Sequence, residues 1–326
     1  MARDIFQPRR NFKPFEYENA EKFKDAIQAA YWTVKHFSFT SDIDDFQTKM
    51  TPIEQGIAKN ALLAISQIEI SVKKWWAKIG DRMPKAEIDQ VGVTCAESEV
   101  RHSDAYSHLL KILGLNEEFE SLLENPVIQG RVDYLTKYIK NASNSSNEAF
   151  SLILALFSLF IENVSLFSQF LIIKSFSQKR KLLKGIDNVV QATQKEETIH
   201  ALFGVYLINV IKEEHPDWFN QDFSTAVSRA CKKAYIAEEA IIDWIFSEGE
   251  LDFLSKETVK EFTKHRFNES LEMIGVEPLF DVDQEKLSGV QWFLEEIISD
   301  VNTDFFHKRP VSYSRFTQTY SADTIF

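Results

Sequence analysis

The stretch AFSLILALFSLFIENVSLFSQFLIIKSF, residues 149–176, decides the fold. Between Glu148 and Lys174 its one ionisable residue is Glu162, set in the middle. A carboxylate among apolar side chains is costly unless it is protonated, paired with a cation or bound to a metal. The run is long enough to cross a membrane. Its charge, however, sits where a bilayer tolerates it least, and no other segment is comparably apolar. A helix buried on all sides in a large bundle is the reading that fits, and no membrane is expected. Glu162 then needs an internal partner.

The rest of the chain agrees with a bundle. Its 326 residues include only 10 Gly and 8 Pro, so turns are few. Helical periodicity covers 19–38, 52–79, 86–114, 126–141, 146–175, 183–212, 223–247, 256–274 and 285–298, and strand alternation is nowhere sustained. Breakers such as GDRMPK (80–85), NASNSSN (141–147) and EEHPDW (213–218) separate these segments. The expected class is all-α. A net charge of −12 argues against a nucleic-acid surface. The start has no apolar run that would read as a secretory signal, and two cysteines make no disulfide framework, so a reducing cytoplasm is expected. Beyond about residue 300 the chain turns polar, aromatic-dotted and aperiodic, which divides it into a helical domain, 1–300, and a tail, 301–326.

Other helices also aim polar residues inward. Around Glu69, the residues one and two turns away are Leu62, Ile65, Val72 and Trp76. Two further helices carry Glu-x-x-His: Glu99 and His102 in CAESEVRHSDAYSHLL, Glu197 and His200 in TQKEETIHALFGVYL. Three residues is nearly one turn, so each pair projects from one face. One such pair is a weak signal, since surface salt-bridging pairs look the same. The order is more specific: helix with Glu, helix with Glu-x-x-His, then both again. Two Glu helices and two Glu-x-x-His helices form the ligand set of a dinuclear carboxylate site within a four-helix bundle. Four carboxylates and two neutral imidazoles offset two divalent cations, so Glu162 reads as a metal ligand.

With these residues in place, the chain resembles the radical-generating small subunit of class I ribonucleotide reductase over nearly its whole length. The resemblance implies a ferritin-like bundle, with metals held by Glu69, Glu99, His102, Glu162, Glu197 and His200. Tyr106, four residues after His102, stands where most subclasses store a radical; a core tyrosine is the bland alternative. Trp32, in AAYWTVKHFSFTSDID (29–44), stands where the family has a tryptophan on its electron route. In DFFHKRPVSY (304–313), Tyr313 matches the tyrosine that relays the radical between subunits, with Tyr320 as runner-up. The final DTIF resembles the anchor that docks on the large catalytic subunit. The implied reaction is reduction of ribonucleotides to deoxyribonucleotides on that large subunit. The metals would be oxidised by dioxygen or a reduced oxygen species, and the oxidising equivalent would leave through His102, Trp32 and Tyr313. The family's small subunit is a homodimer. A stand-alone dimetal oxidase or ferroxidase explains the six ligands, but not Trp32, Tyr106 and the tail together. A non-catalytic helical scaffold would bind no stoichiometric metal.

Three positions depart from the family. Glu69 stands where many members have Asp. Glu196 stands where an Asp links a ligand histidine to the tryptophan, which puts the geometry of the route in question. Lys73, one turn after Glu69, occupies a site usually small or neutral; it is either a solvated lysine or an ammonium near Glu99 and Tyr106. In the second case it would disfavour oxidation of Tyr106. With Glu at the first ligand position, this resembles a subclass with a dimanganese centre activated by superoxide, in which the tyrosine stores no radical. Manganese is therefore the expected metal and iron the alternative.

Overall fold

The computed structural model describes residues 3–142 and 144–306. Among helical residues, the side chains at 70, 71, 73, 134, 135, 137–139, 141 and 301–306 lie outside the description. Nine long helices dominate among the described residues: α1 (Glu21–Ala29), α2 (Pro52–Trp76), α3 (Ala86–Leu113), α4 (Pro126–Ala142), α5 (Asn147–Arg180), α6 (Lys184–Glu214), α7 (Gln221–Ile245), α8 (Lys256–Glu272) and α9 (Gln291–Phe306). Among the described residues the one β pairing is an isolated bridge, Leu251 to Leu254. Helices α2, α3, α5 and α6 pack on one another as the central bundle. Helices α4, α7 and α8 close over α5, and α1 and α9 lie against α6.

The apolar run lies inside α5, and 94% of its most hydrophobic window is buried within the protein. The helix is not uniform. Phe157–Ser165 widens into π-helical turns, as does Phe176–Arg180. Such turns leave backbone carbonyls without their usual partners. Buried cations take them here: Arg266 of α8 donates to Asn163 O at 2.8 and 3.2 Å, and Arg131 of α4 donates to Ser165 O. The widened segment also presses on α6. A Cβ at Gly204 would fall 2.0 Å from Ser158 Oγ, so glycine is what lets the two helices approach. The start of α6 is held by two buried aspartates, Asp42 accepting from Ile186 N–H and Asp45 from Leu183 N–H.

The termini of two segments differ from the periodicity. The segment expected over 19–38 stops at Ala29, and Trp32 sits in the connection that follows. There the β-branched Thr33 is extended, and its N–H donates to His36 Nδ1 at 3.3 Å. The segment expected over 285–298 breaks near Gly289 into Gln284–Ser288 and α9, and α9 continues to Phe306. Cys95 and Cys231 are buried and free.

Candidate metal centre

The four central helices bring Glu69, Glu99, His102, Glu162, Glu197 and His200 to one buried point. They form two overlapping groups. Glu69, Glu99, His102 and Glu197 offer ligand atoms all within 4.8 Å of one another, and so do Glu99, Glu162, Glu197 and His200. Glu99 and Glu197 belong to both. His102 Nδ1 lies 3.0 Å from Glu197, 3.4 Å from Glu99 and 3.7 Å from Glu69. His200 Nδ1 lies 3.0 Å from Glu99, 3.3 Å from Glu197 and 3.5 Å from Glu162.

The atoms at this point lack well-formed hydrogen bonds: both oxygens of Glu69, Glu99 and Glu197, Oε2 of Glu162 and Nδ1 of both histidines. Polar atoms this buried are ordinarily satisfied. Their outer partners fix which atoms face inward. Ser98 donates its hydroxyl to Cys95 O at 2.7 Å, so its oxygen accepts from His200 Nε2, 2.8 Å away. His102 Nε2 lies 2.9 Å from Glu196 Oε2 and donates to it. Both Nδ1 atoms are thereby turned to the carboxylates, as metal-ligating imidazoles require.

Without metal, the cluster is shifted toward binding protons. Burial, with neighbouring carboxylates, pushes Glu69 and Glu162 well above the ordinary range. Burial would lower His102 and raise Glu197, but their mutual attraction prevails: Glu69, Glu196 and Glu197 hold His102 well up, and the two histidines hold Glu197 down. His200 is likewise held well up despite burial, with Cys95, Glu162 and Glu197 beside it. Two divalent cations would take the place of these protons, with Glu99 and Glu197 reaching both positions. A dimetal site fits the donors. Among the described residues the other candidate group, Asp4, Glu214 and His215, is half-buried, and its Glu214 oxygens already accept from Arg3, Ile5 N–H and Tyr17.

The residues behind the cluster settle contacts that the sequence left open. Trp32 stacks on His102 with ring centroids 5.9 Å apart and planes 17° from parallel. Its indole N–H donates to Glu196 Oε2 at 2.9 Å. Glu196 thus joins the tryptophan to the histidine despite its extra methylene relative to Asp. Arg101 pairs with Glu196 Oε1 at 2.8 Å. On the opposite side Trp76, legible only as an inward-facing core residue, donates to Glu162 Oε1 at 2.8 Å. A buried indole N–H needs an acceptor, so the signal existed, but its partner is 86 residues away. Tyr106 is buried beside Glu69, Glu197 and Thr193, and burial near two carboxylates pushes its phenol well up. The side chain of Lys73, and all of Tyr313, Tyr320 and the DTIF end, lie outside the described residues.

A family model described as "Ribonucleotide reductase, small chain" matches residues 9–286. The probable ribonucleoside-diphosphate reductase small subunit 048L of Invertebrate iridescent virus 3 is 24% identical over 330 residues, 97% of this chain and 87% of that one. Among solved structures, the ribonucleotide reductase R2 subunit of Clostridium botulinum superposes with a TM-score of 0.79 at 15% identity, covering 89% of this chain and 91% of that one. The dimanganese(II)-NrdF of Streptococcus sanguinis gives 0.74 at 14% identity, covering 91% and 100%.

Proposed function

The chain belongs to the ribonucleotide reductase small-chain family and is the small subunit of a ribonucleoside-diphosphate reductase, and we propose that Glu69, Glu99, His102, Glu162, Glu197 and His200 hold its two metal ions. The observation that carries the assignment is the pair of overlapping ligand groups sharing Glu99 and Glu197. When bound, the metal pair supplies a one-electron oxidant for the reduction of ribonucleotides on the large subunit. The protein's own groups hold and guide. Glu196 fixes the tautomer of His102, and Arg101 balances the Glu196 charge. Trp32, stacked on His102 and bonded to Glu196, is the group through which an electron enters from outside. Tyr106 lies beside the Glu69 side of the site, walled from water.

Tail residues 301–326 carry the link to the large subunit, with Tyr313 as relay, Tyr320 as the second choice and DTIF as the anchor. The working unit is a homodimer in the cytoplasm, and free buried Cys95 and Cys231 suit a reducing compartment. Manganese is the favoured metal and iron the alternative. Support comes from Glu69 and Lys73 in the sequence, from the oxygen-rich donor set, and from the dimanganese state of the Streptococcus sanguinis protein. In this reading Tyr106 stores no radical. A stand-alone dimetal oxidase would leave the Trp32–Glu196–His102 chain without a use.

The test is metal analysis with electron paramagnetic resonance of protein from its own host, assayed with the large subunit. Two metals per chain are expected, and a manganese signal that tracks activity and survives Tyr106→Phe. A tyrosyl signal scaling with activity in iron-loaded protein would refute the manganese reading. Absence of stoichiometric metal would refute the site itself. Removing residues 310–326 should stop nucleotide reduction and leave metal loading intact.

A further inference from the structure

Tyr31 is a large aromatic residue left at the surface, 57% exposed, directly before the buried Trp32. The two rings share one cation. The Arg101 guanidinium lies 4.8 Å from the Tyr31 ring centroid and 5.7 Å from that of Trp32. Arg101 is itself buried and spends its donors on Glu196, on Glu97 and on Trp32 O. A continuous line of contacts therefore runs from His102 through Trp32 and Arg101 to a phenol in water.

The charges along this line favour moving an electron vacancy outward. An oxidised indole that keeps its proton carries positive charge. The one carboxylate bonded to Trp32, Glu196, is already matched by Arg101, so it leaves that charge poorly compensated. The guanidinium also loses its attraction to a ring that has given up an electron. A phenol escapes both penalties by releasing its proton as it is oxidised, and the exposure of Tyr31 puts water within reach to take it.

We propose that Tyr31 is a redox relay residue, the outer end of the Trp32 route on the folded domain. The assignment rests on the reading of Trp32 as the electron entry point. In the step, one electron passes from Tyr31 to oxidised Trp32, and the Tyr31 O–H bond breaks. The proton goes to water, leaving a closed-shell indole and a neutral phenoxyl. The next phenol or thiol toward the large subunit returns one electron to Tyr31, which takes a proton back from water. The oxidant is the one-electron equivalent that the small subunit supplies in the function proposed above.

The experiment uses the full chain, metal-loaded and mixed with its large subunit, nucleoside diphosphate and reductant. Tyr31→Phe keeps the ring over Arg101 and removes the phenol. Turnover should fall about tenfold or more, with metal content unchanged. Tyr31→3-aminotyrosine, which is easier to oxidise, should give an aminotyrosyl signal in electron paramagnetic resonance when substrate is added. Parent-like turnover in Tyr31→Phe, or no trapped radical at position 31, overturns the relay. So does loss of turnover in Tyr31→Ala alone, which would mark the ring as a shield for the Arg101–Glu196 pair. Trp32→Phe separates the two readings. If it is inactive while Tyr31→Phe is parent-like, only the relay fails; if both are parent-like, the route itself fails.

Discussion

The His102 and His200 sides of the cluster share two carboxylates and differ in almost everything behind them. Behind His102 stands an ionic assembly: the Glu196 carboxylate, the Arg101 guanidinium and the Trp32 indole, continuing to exposed Tyr31. Beside His200 stand neutral groups, the Ser98 hydroxyl and the Cys95 thiol, while the neighbouring Glu162 is held by Trp76, sealed among Phe157 and Phe203. One tryptophan lies one residue from the surface; the other is wholly enclosed. Two helices of like sequence pattern thus present their histidines to different environments, one suited to passing charge and one suited only to holding a ligand still.

The largest expected effect tests the sealed side. Glu162→Ala removes the carboxylate found only in the His200 group, so metal content should fall from two to one or fewer per chain, read by elemental analysis. The metal-dependent rise in unfolding temperature should shrink with it. Two tightly held metals in this variant would break the comparison.

The second compares the two histidine partners directly. Glu196→Ala leaves the Arg101 charge buried without its main partner and should cost about 3–5 kcal/mol, toward the lower end because Glu97 remains in reach. Ser98→Ala removes one neutral hydrogen bond and should cost about 1 kcal/mol. Urea unfolding of the metal-free proteins measures both. Equal losses would mean the ionic assembly adds nothing to the fold.

A third variant, Trp76→Phe, keeps the aromatic packing and frees Glu162 Oε1. Metal affinity should weaken by roughly ten- to hundred-fold, the usual cost of losing an outer hydrogen bond, in a competition titration with a chelator. Unchanged affinity would reduce Trp76 to core packing.

The smallest effect is shared by both sides. In the metal-free protein, burial and the neighbouring charges shift Glu69, Glu162, His102 and His200 all upward, toward binding protons. Metal must displace them. Binding should release protons into weakly buffered solution, and apparent affinity should fall as pH is lowered. Uptake without proton release would contradict this protonation pattern.

Sequence by itself determined the helical class and singled out the six residues that the bundle gathers at one point, because both are written in local spacing. Period 3.6 shows where the chain coils, and one-turn separations put Glu99 with His102 and Glu197 with His200. Isolation of Glu162 in an apolar helix marked it without any partner in view. Tertiary structure alone decided that Glu99 and Glu197 belong to both candidate groups, and that Glu196, for all its extra methylene, reaches Trp32, a partner 164 residues away. It also ended α1 at Ala29, which placed Tyr31 in water and Trp32 against His102. The physical reason is range. Periodicity fixes which face of a helix is buried, but a hydrogen bond or ion pair between distant helices depends on how those helices cross, and nothing within one helix encodes that.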